Sequence, residues 1–205
     1  MNKVLIVGRK LSYYDPFSVF GTLTESIEDA SLVVFTGGAD VSPHLYNENA
    51  HPTTYNDEQR DKQEELAFNK AVRLKKNIVG ICRGAQFICV MNGGKLIQDA
   101  NNHGHCNHPI TTDDGREITV TGDHHQMQLP PDNAVPIAWA EPRLSTYYHG
   151  GPGIELNPEK EHDVVWYPNT NALGIQYHPE WMERQSEGLL YSQELIERFF
   201  SLPRI

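Results

Sequence analysis

Residues 77–86 read Asn77-Ile78-Val79-Gly80-Ile81-Cys82-Arg83-Gly84-Ala85-Gln86, and this stretch decides the fold class of the chain. Ile78 to Ile81 is an apolar run with the length of a short buried strand. Ala85 to Asn92 is helical in pattern until Gly93-Gly94 stops it. Between them stands G-x-C-x-G, the cysteine form of a nucleophile elbow. Glycines at 80 and 84 permit a strained turn and close packing, so the side chain at the apex stands clear of the sheet. Cys82 then lies at a helix N-terminus beside Arg83, and both favour thiolate over thiol. A buried cysteine in a tight βα turn is the competing reading.

On the N-terminal side of this stretch, Val4 to Val7 and Leu32 to Thr36 are further continuous apolar runs, the pattern of strands covered on both faces in a parallel sheet. Gly37-Gly38 ends the second run. A glycine pair at a strand's carboxyl end either lets backbone amides approach a ligand or makes a plain tight turn. Leu11 to Thr24 reads as loop with room for a short helix. Asn56 to Lys76 is predicted to form a long helix, capped by Asn56 with Gln59 three residues on, acidic in its first turn (Asp57, Glu58, Asp61) and basic in its last (Arg73, Lys75, Lys76). Leu66, Ala67, Ala71 and Leu74 form its expected buried stripe. The order β, crossover, β, tight turn, α predicts an α/β fold: a doubly wound, mostly parallel sheet flanked by helices, with ligands at the strands' carboxyl ends.

On the C-terminal side the pattern changes to shorter strands at Ile118–Val120, Ile137–Ala140, Asp163–Tyr167 and Ala172–Tyr177. The last two bracket Pro168-Asn169-Thr170-Asn171, which predicts a hairpin and hence a small antiparallel portion in this half. Tyr147 to Pro158, with Gly150-Gly151-Pro152-Gly153, reads as loop, and a final helix spans about Ser186 to Ser201. With no internal repeat and no linker, residues 1–205 read as a single domain.

The strand ending at Tyr177 runs into His178-Pro179-Glu180. Residues two apart in extended chain share a side, so the imidazole and the carboxylate can face one another. A carboxylate on one ring nitrogen fixes the tautomer and leaves the other nitrogen to take a thiol proton. Cys82, His178 and Glu180 are therefore the candidate nucleophile, base and orienter. The N–H groups of Arg83 and Gly38 are candidate oxyanion donors, and acyl transfer through a thioester is the expected reaction class. A solvated His and Glu at a strand end is the alternative for the second motif.

Charge narrows the field: 17 Lys and Arg against 27 Asp and Glu give a net −10, with no basic cluster longer than Lys75-Lys76, which argues against nucleic acid as a partner. The three cysteines, Cys82, Cys89 and Cys106, do not form a disulfide framework and fit a reducing cytoplasm. No stretch approaches the roughly 18 apolar residues of a membrane helix, and the apolar run at the N-terminus is too short for a signal peptide. The segment Asn101 to His108 is rich in His and Cys, but H-x-H-C-x-H lacks the paired spacing of a closed zinc site. It reads as an exposed loop, so no metal and no cofactor are expected.

Taken together, Gly80-Ile-Cys82-Arg-Gly84-Ala-Gln86 and Gly174-Ile-Gln-Tyr-His178-Pro-Glu180-Trp181 resemble the class I glutamine amidotransferase superfamily, and most closely its γ-glutamyl hydrolase-like branch, which includes the γ-glutamyl-γ-aminobutyrate hydrolases. Further matches are Gly37-Gly38-Ala-Asp40-Val-Ser-Pro43-His-Leu-Tyr46, Asp57-x-x-Arg60-Asp61, Gly93-Gly94-Lys-Leu-Ile-Gln98-Asp99 and Asp123-His124-His125-Gln126. The resemblance implies a flavodoxin-like class I amidotransferase fold and a Cys82–His178–Glu180 triad. It also implies an oxyanion hole at Gly38 and Arg83, and a γ-glutamyl group held near Gln86, His124, His125 and Gln126. The small-molecule substrate is then glutamine or a γ-glutamyl amide, with a separate synthetase or ligase as a possible partner that takes the ammonia. The alternatives are a freestanding hydrolase of γ-glutamyl conjugates and a non-catalytic binding subunit. In one respect the chain departs from the family: only 24 residues separate Val7 from Leu32, so one βα unit is either absent or compressed.

Overall fold

The computed structural model describes residues 1–8 and 11–205. Its parallel half is built from β1 (Lys3–Val7), β2 (Thr22–Thr24), β3 (Leu32–Phe35) and β4 (Asn77–Ile81), joined by a 3-10 segment (Leu11–Phe20) and by α1 (Glu58–Arg73). The chain then passes through α2 (Arg83–Met91), β5 (Lys95–Ile97), β6 (Asp99–Ala100), β7 (Cys106–Thr112), β8 (Glu117–Gly122), β9 (Met127–Leu129), β10 (Val135–Ala140), β11 (Tyr148–His149), β12 (Glu161–Tyr167), β13 (Ala172–Ile175) and α3 (Glu187–Phe200). Nine of these strands form one mixed sheet in the order β2-β1-β3-β4-β13-β12-β10-β7-β8. The first five run parallel, in the flavodoxin order, and the rest continue antiparallel from the β12–β13 hairpin. The pairs β6–β11 and β5–β9 make two further ribbons.

Alternation along the buried strands explains their unbroken apolar sequences. Leu32 and Val34 of β3 and Val79 and Ile81 of β4 face a core closed by Phe17, Phe20, Tyr191, Leu195 and Ile196. Val33, Phe35 and Ile78 face the opposite core, closed by Phe68, Ala71, Phe87 and Ile88. The short connection between Val7 and Leu32 proves to be compression: the crossover is the 3-10 segment, and the edge strand β2 is three residues long.

Two expectations are corrected. Helix α1 is capped by Asp57, whose carboxylate accepts from the Arg60 N–H at 3.0 Å, and its buried face is Arg60, Asp61, Glu64, Phe68 and Ala71. Leu66 and Leu74 are 73% and 41% exposed. Charged residues occupy the inward stripe because partners elsewhere in the fold neutralise them, so apolarity does not mark the buried face here. The segment Asn101 to His108 is an exposed loop only in part: Asn102, Gly104 and His105 are exposed, but Cys106 begins β7, and His103 and His108 are buried.

Candidate active site

The carboxyl ends of β3, β4 and β13 lie side by side, with Phe35 opposite Gly80 and Ile81 opposite Ile175. They deliver Gly37-Gly38, Cys82 and His178 to one place. At the turn from β4 into α2, Cys82 itself carries the strain, at φ 52° and ψ −111°. Gly80 and Gly84 serve close packing. A Cβ on Gly80 would collide with the backbone of Gly84, and one on Gly84 with the backbone of Phe35. The Cys82 N–H donates to the Ile175 carbonyl at 2.8 Å, while its own carbonyl accepts from the N–H groups of Ala85 and Gln86. The amides of Arg83 and Gly84 fall in the first turn of α2, where no carbonyl of the helix can take them, and their dipoles favour a negative charge nearby. The Cys82 thiol is nearly buried, with Sγ 3.9 Å from the Asp123 carbonyl oxygen.

His178 follows β13, and its N–H donates to the Thr121 carbonyl at 2.9 Å. Nδ1 lies 2.7 Å from Glu180 Oε1, and the ring stacks on Trp181 with centroids 3.7 Å apart. Nε2 is buried and finds no hydrogen-bond partner among the described residues. Burial works against the imidazolium, but the negative charges of Cys82 and Glu180, with the hydrogen bond to Glu180, outweigh it and push the His178 pKa up to about 10. The folded value exceeds the ordinary one near 6.5, so this group's contribution to stability is complete below that pH and is lost as pH rises through about 10. In Glu180→Gln the His178 titration, followed by NMR of its ring protons, is expected to move down from about 10, and the alkaline loss of stability with it. An unmoved midpoint would show that Glu180 does not hold the proton.

The glycine pair is clamped from below. Arg60 donates from Nη1 to the Gly37 carbonyl at 3.0 Å and from Nη2 to the Thr36 carbonyl at 2.8 Å, and its Nε donates to Glu64 at 2.7 Å. The Arg83 guanidinium points away from the thiol into this layer and pairs with both Asp61 and Glu64. The cation expected beside the thiolate is thus already neutralised by carboxylates; what Arg83 presents to the site is its backbone N–H. Asp61 also accepts from the N–H and hydroxyl of Ser42, which ties the loop after Gly38 to α1.

Tyr13 joins the site without any motif to mark it. Its hydroxyl lies 2.5 Å from where a Gly37 Cβ would stand, and Cys82 and His178 flank the same point at 3.5 Å and 3.3 Å. Burial first, and then the charges of Glu180 and Cys82, raise its pKa, so the phenol stays protonated as a donor beside the thiol. The 3-10 segment lacks a clear period, and the one available signal is a tyrosine in an aromatic cluster.

The expected substrate-side residues separate by exposure. Gln86 is buried and donates to the Gln126 carbonyl at 2.8 Å, and the Gln126 side chain is buried too. His124 packs against His103, with ring centroids 4.6 Å apart, and burial followed by its histidine neighbours holds it well below the ordinary range, hence neutral. His125 reaches a cleft of about 460 Å³ that Gly38, Asp40, Tyr55 and Asp123 also line. Its ring bridges Asp40 at 3.3 Å and Asp99 at 3.2 Å, and the bond to Asp40, with that to Asp99, raises its pKa against the effect of burial.

The family description Peptidase C26 matches residues 19–150, a span that contains Cys82 and the glycine pair and ends before His178. The chain is 28% identical over 171 residues to the glutamine amidotransferase-like protein YvdE of Lactococcus lactis subsp. lactis, covering 77% of this chain and 70% of that protein. It is 26% identical over 184 residues to the γ-glutamyl-γ-aminobutyrate hydrolase of Escherichia coli O157:H7, covering 80% and 67%. A Thermoplasma acidophilum protein described as a GMP synthase subunit shares the fold, with a TM-score of 0.61 at 16% identity, over 98% of this chain and 94% of that one. The chain belongs to the Peptidase C26 family of class I glutamine amidotransferase-like proteins.

Proposed function

We propose that this protein is a glutaminase-type cysteine hydrolase that cleaves γ-glutamyl amides through a thioester on Cys82. The observation that carries the reading is the His178 Nδ1–Glu180 contact of 2.7 Å, with Nε2 unpartnered among the described residues beside a cysteine held at positive φ. In this scheme the Cys82 thiolate attacks the γ-carbonyl carbon, and the oxyanion that forms is held by the N–H groups of Gly38 and Arg83. The His178 imidazolium gives its Nε2 proton to the leaving nitrogen as the C–N bond breaks. Neutral His178 then takes a proton from water, whose oxygen displaces Cys82 and releases glutamate. With glutamine as substrate the product is ammonia, for use by a separate synthetase or ligase; the related fold of a protein described as a synthase subunit supports that role.

A second reading, a freestanding hydrolase of γ-glutamyl conjugates, is favoured by the cleft beside Gly38. Its volume of about 460 Å³ lies in the range of pockets that take a whole small-molecule conjugate. The test is to incubate the isolated protein with glutamine, γ-glutamyl-γ-aminobutyrate and other γ-glutamyl amides, quench in acid, and search by mass spectrometry for a γ-glutamyl adduct. We expect the adduct on Cys82 and release of the amine. Glutamine turnover that rises with a partner favours the first reading, and rapid turnover of a conjugate by the protein alone favours the second. Absence of both adduct and turnover with every amide would overturn the assignment.

A further inference from the structure

We propose that His51, Asp99 and His149 form a binding site for a zinc-type divalent transition metal, separate from Cys82 and His178 and joined to the cleft through the Asp99–His125 contact. The three side chains come from separate segments, and each offers a donor atom within 4.8 Å of the others. Among the described residues no other His, Cys, Asp or Glu grouping meets that spacing.

The scaffold that brings them together is rigid. His149 stands directly opposite Asp99 in the β6–β11 pair. Gln98, fully buried, donates its N–H to the His149 carbonyl at 2.7 Å, and its side-chain oxygen accepts the His51 N–H at 2.8 Å. Its amide nitrogen also donates to the Asn49 carbonyl at 3.0 Å. A single glutamine therefore ties the segment that carries His51 to the ribbon that carries the other two donors.

The donors are prepared for a cation. His149 Nδ1 is buried without a hydrogen-bond partner among the described residues, and it lies 3.9 Å from Asp99 Oδ2. His51 Nδ1 is 2.8 Å from the Thr53 hydroxyl and 3.4 Å from the Thr53 N–H, contacts that hold the ring, and a metal on Nε2 selects the tautomer whose Nδ1–H donates to the hydroxyl. The other Asp99 oxygen contacts His125 at 3.2 Å, and His125 in turn contacts Asp40 at 3.3 Å, an outer shell that orients the carboxylate. Two imidazoles with one carboxylate suit zinc, whereas magnesium and calcium prefer all-oxygen sets. Donors on a tetrahedral zinc stand roughly 3.3 Å apart, so binding asks for a closure of about an ångström or more, achievable by side-chain rotation. Three protein ligands leave a fourth position for water or for a carboxylate of a bound ligand.

The test uses untagged, chelator-treated protein carrying Cys82→Ser, which removes the thiol near His178 as a competing zinc ligand. Zinc is titrated by calorimetry and by competition with a chromophoric chelator, and cobalt absorption reports the coordination number. We expect one zinc per chain, the visible bands of four-coordinate cobalt, and a loss of affinity of at least tenfold in both His149→Ala and His51→Gln. His51→Gln keeps a polar side chain on the loop and serves should His149→Ala fail to fold. Absence of stoichiometric zinc, or affinity unchanged in the folded variants, overturns the site.

Discussion

Cys82→Ala is expected to lower turnover of γ-glutamyl amides by about ten-thousand-fold or more, because in the proposed mechanism it removes the atom that forms the thioester and leaves only binding and oxyanion donors. The measurement is steady-state release of glutamate, with the adduct on residue 82 as a second readout. Retention of wild-type turnover would sink the mechanism. The same position also predicts a difference in stability between two inactive variants. At φ 52° and ψ −111° a residue with a Cβ is strained, and glycine is not. Cys82→Gly is therefore expected to be more stable than Cys82→Ala, by about 1 kcal/mol in urea denaturation, while being equally inactive. Equal stability of the two would mean that the elbow stores no strain.

The second large effect is expected from a side chain that faces away from the chemistry. Arg83 is 1% exposed and pairs with Asp61 and Glu64. In Arg83→Met the Arg60 guanidinium still holds Glu64 and Ser42 still holds Asp61, but one buried carboxylate oxygen on each loses its cation. Breaking a buried pair from one side costs about 3–5 kcal/mol, and the surviving partners place this case near 3. The backbone N–H of residue 83 remains, so activity at low temperature tests whether the network positions the glycine pair. Adding Asp61→Asn should recover part of the loss by removing the uncompensated charge. A change in unfolding free energy below about 1 kcal/mol would show that the network relaxes around the gap.

Much of the fold is legible in local pattern. Continuous apolar runs at Val4–Val7, Leu32–Thr36 and Ile78–Ile81 predict strands covered on both faces, and both cores lie where those runs require. The Pro168–Asn171 spacer predicts the β12–β13 hairpin that the register displays. The final helix, expected over about Ser186 to Ser201, is α3 at Glu187–Phe200. Helix α1 exposes the limit of this reading. Its inward stripe is written in Arg60, Asp61 and Glu64, and periodicity of apolar residues selects Leu66 and Leu74 instead. The histidines at 103 and 108 look exposed for the same reason. Their buried state depends on Glu161 and Asp163, far along the chain.

Neighbouring residues alone suffice for the fold class and for the reactive residue types at strand ends: the glycine pair, the cysteine of G-x-C-x-G, and a His and Glu two apart. These follow from spacing within a few residues, where strand alternation and the elbow turn are local rules. Long-range folding was needed to turn Arg83 into a layer of acids, to bring Tyr13 across the glycine pair, to keep β2 as a three-residue edge, and to set His51 against Asp99 and His149. The physical reason is common to the three polar cases. A buried or half-buried polar group is stabilised by partners that chain folding supplies from distant segments, and no local pattern of hydrophobicity records which partner arrives.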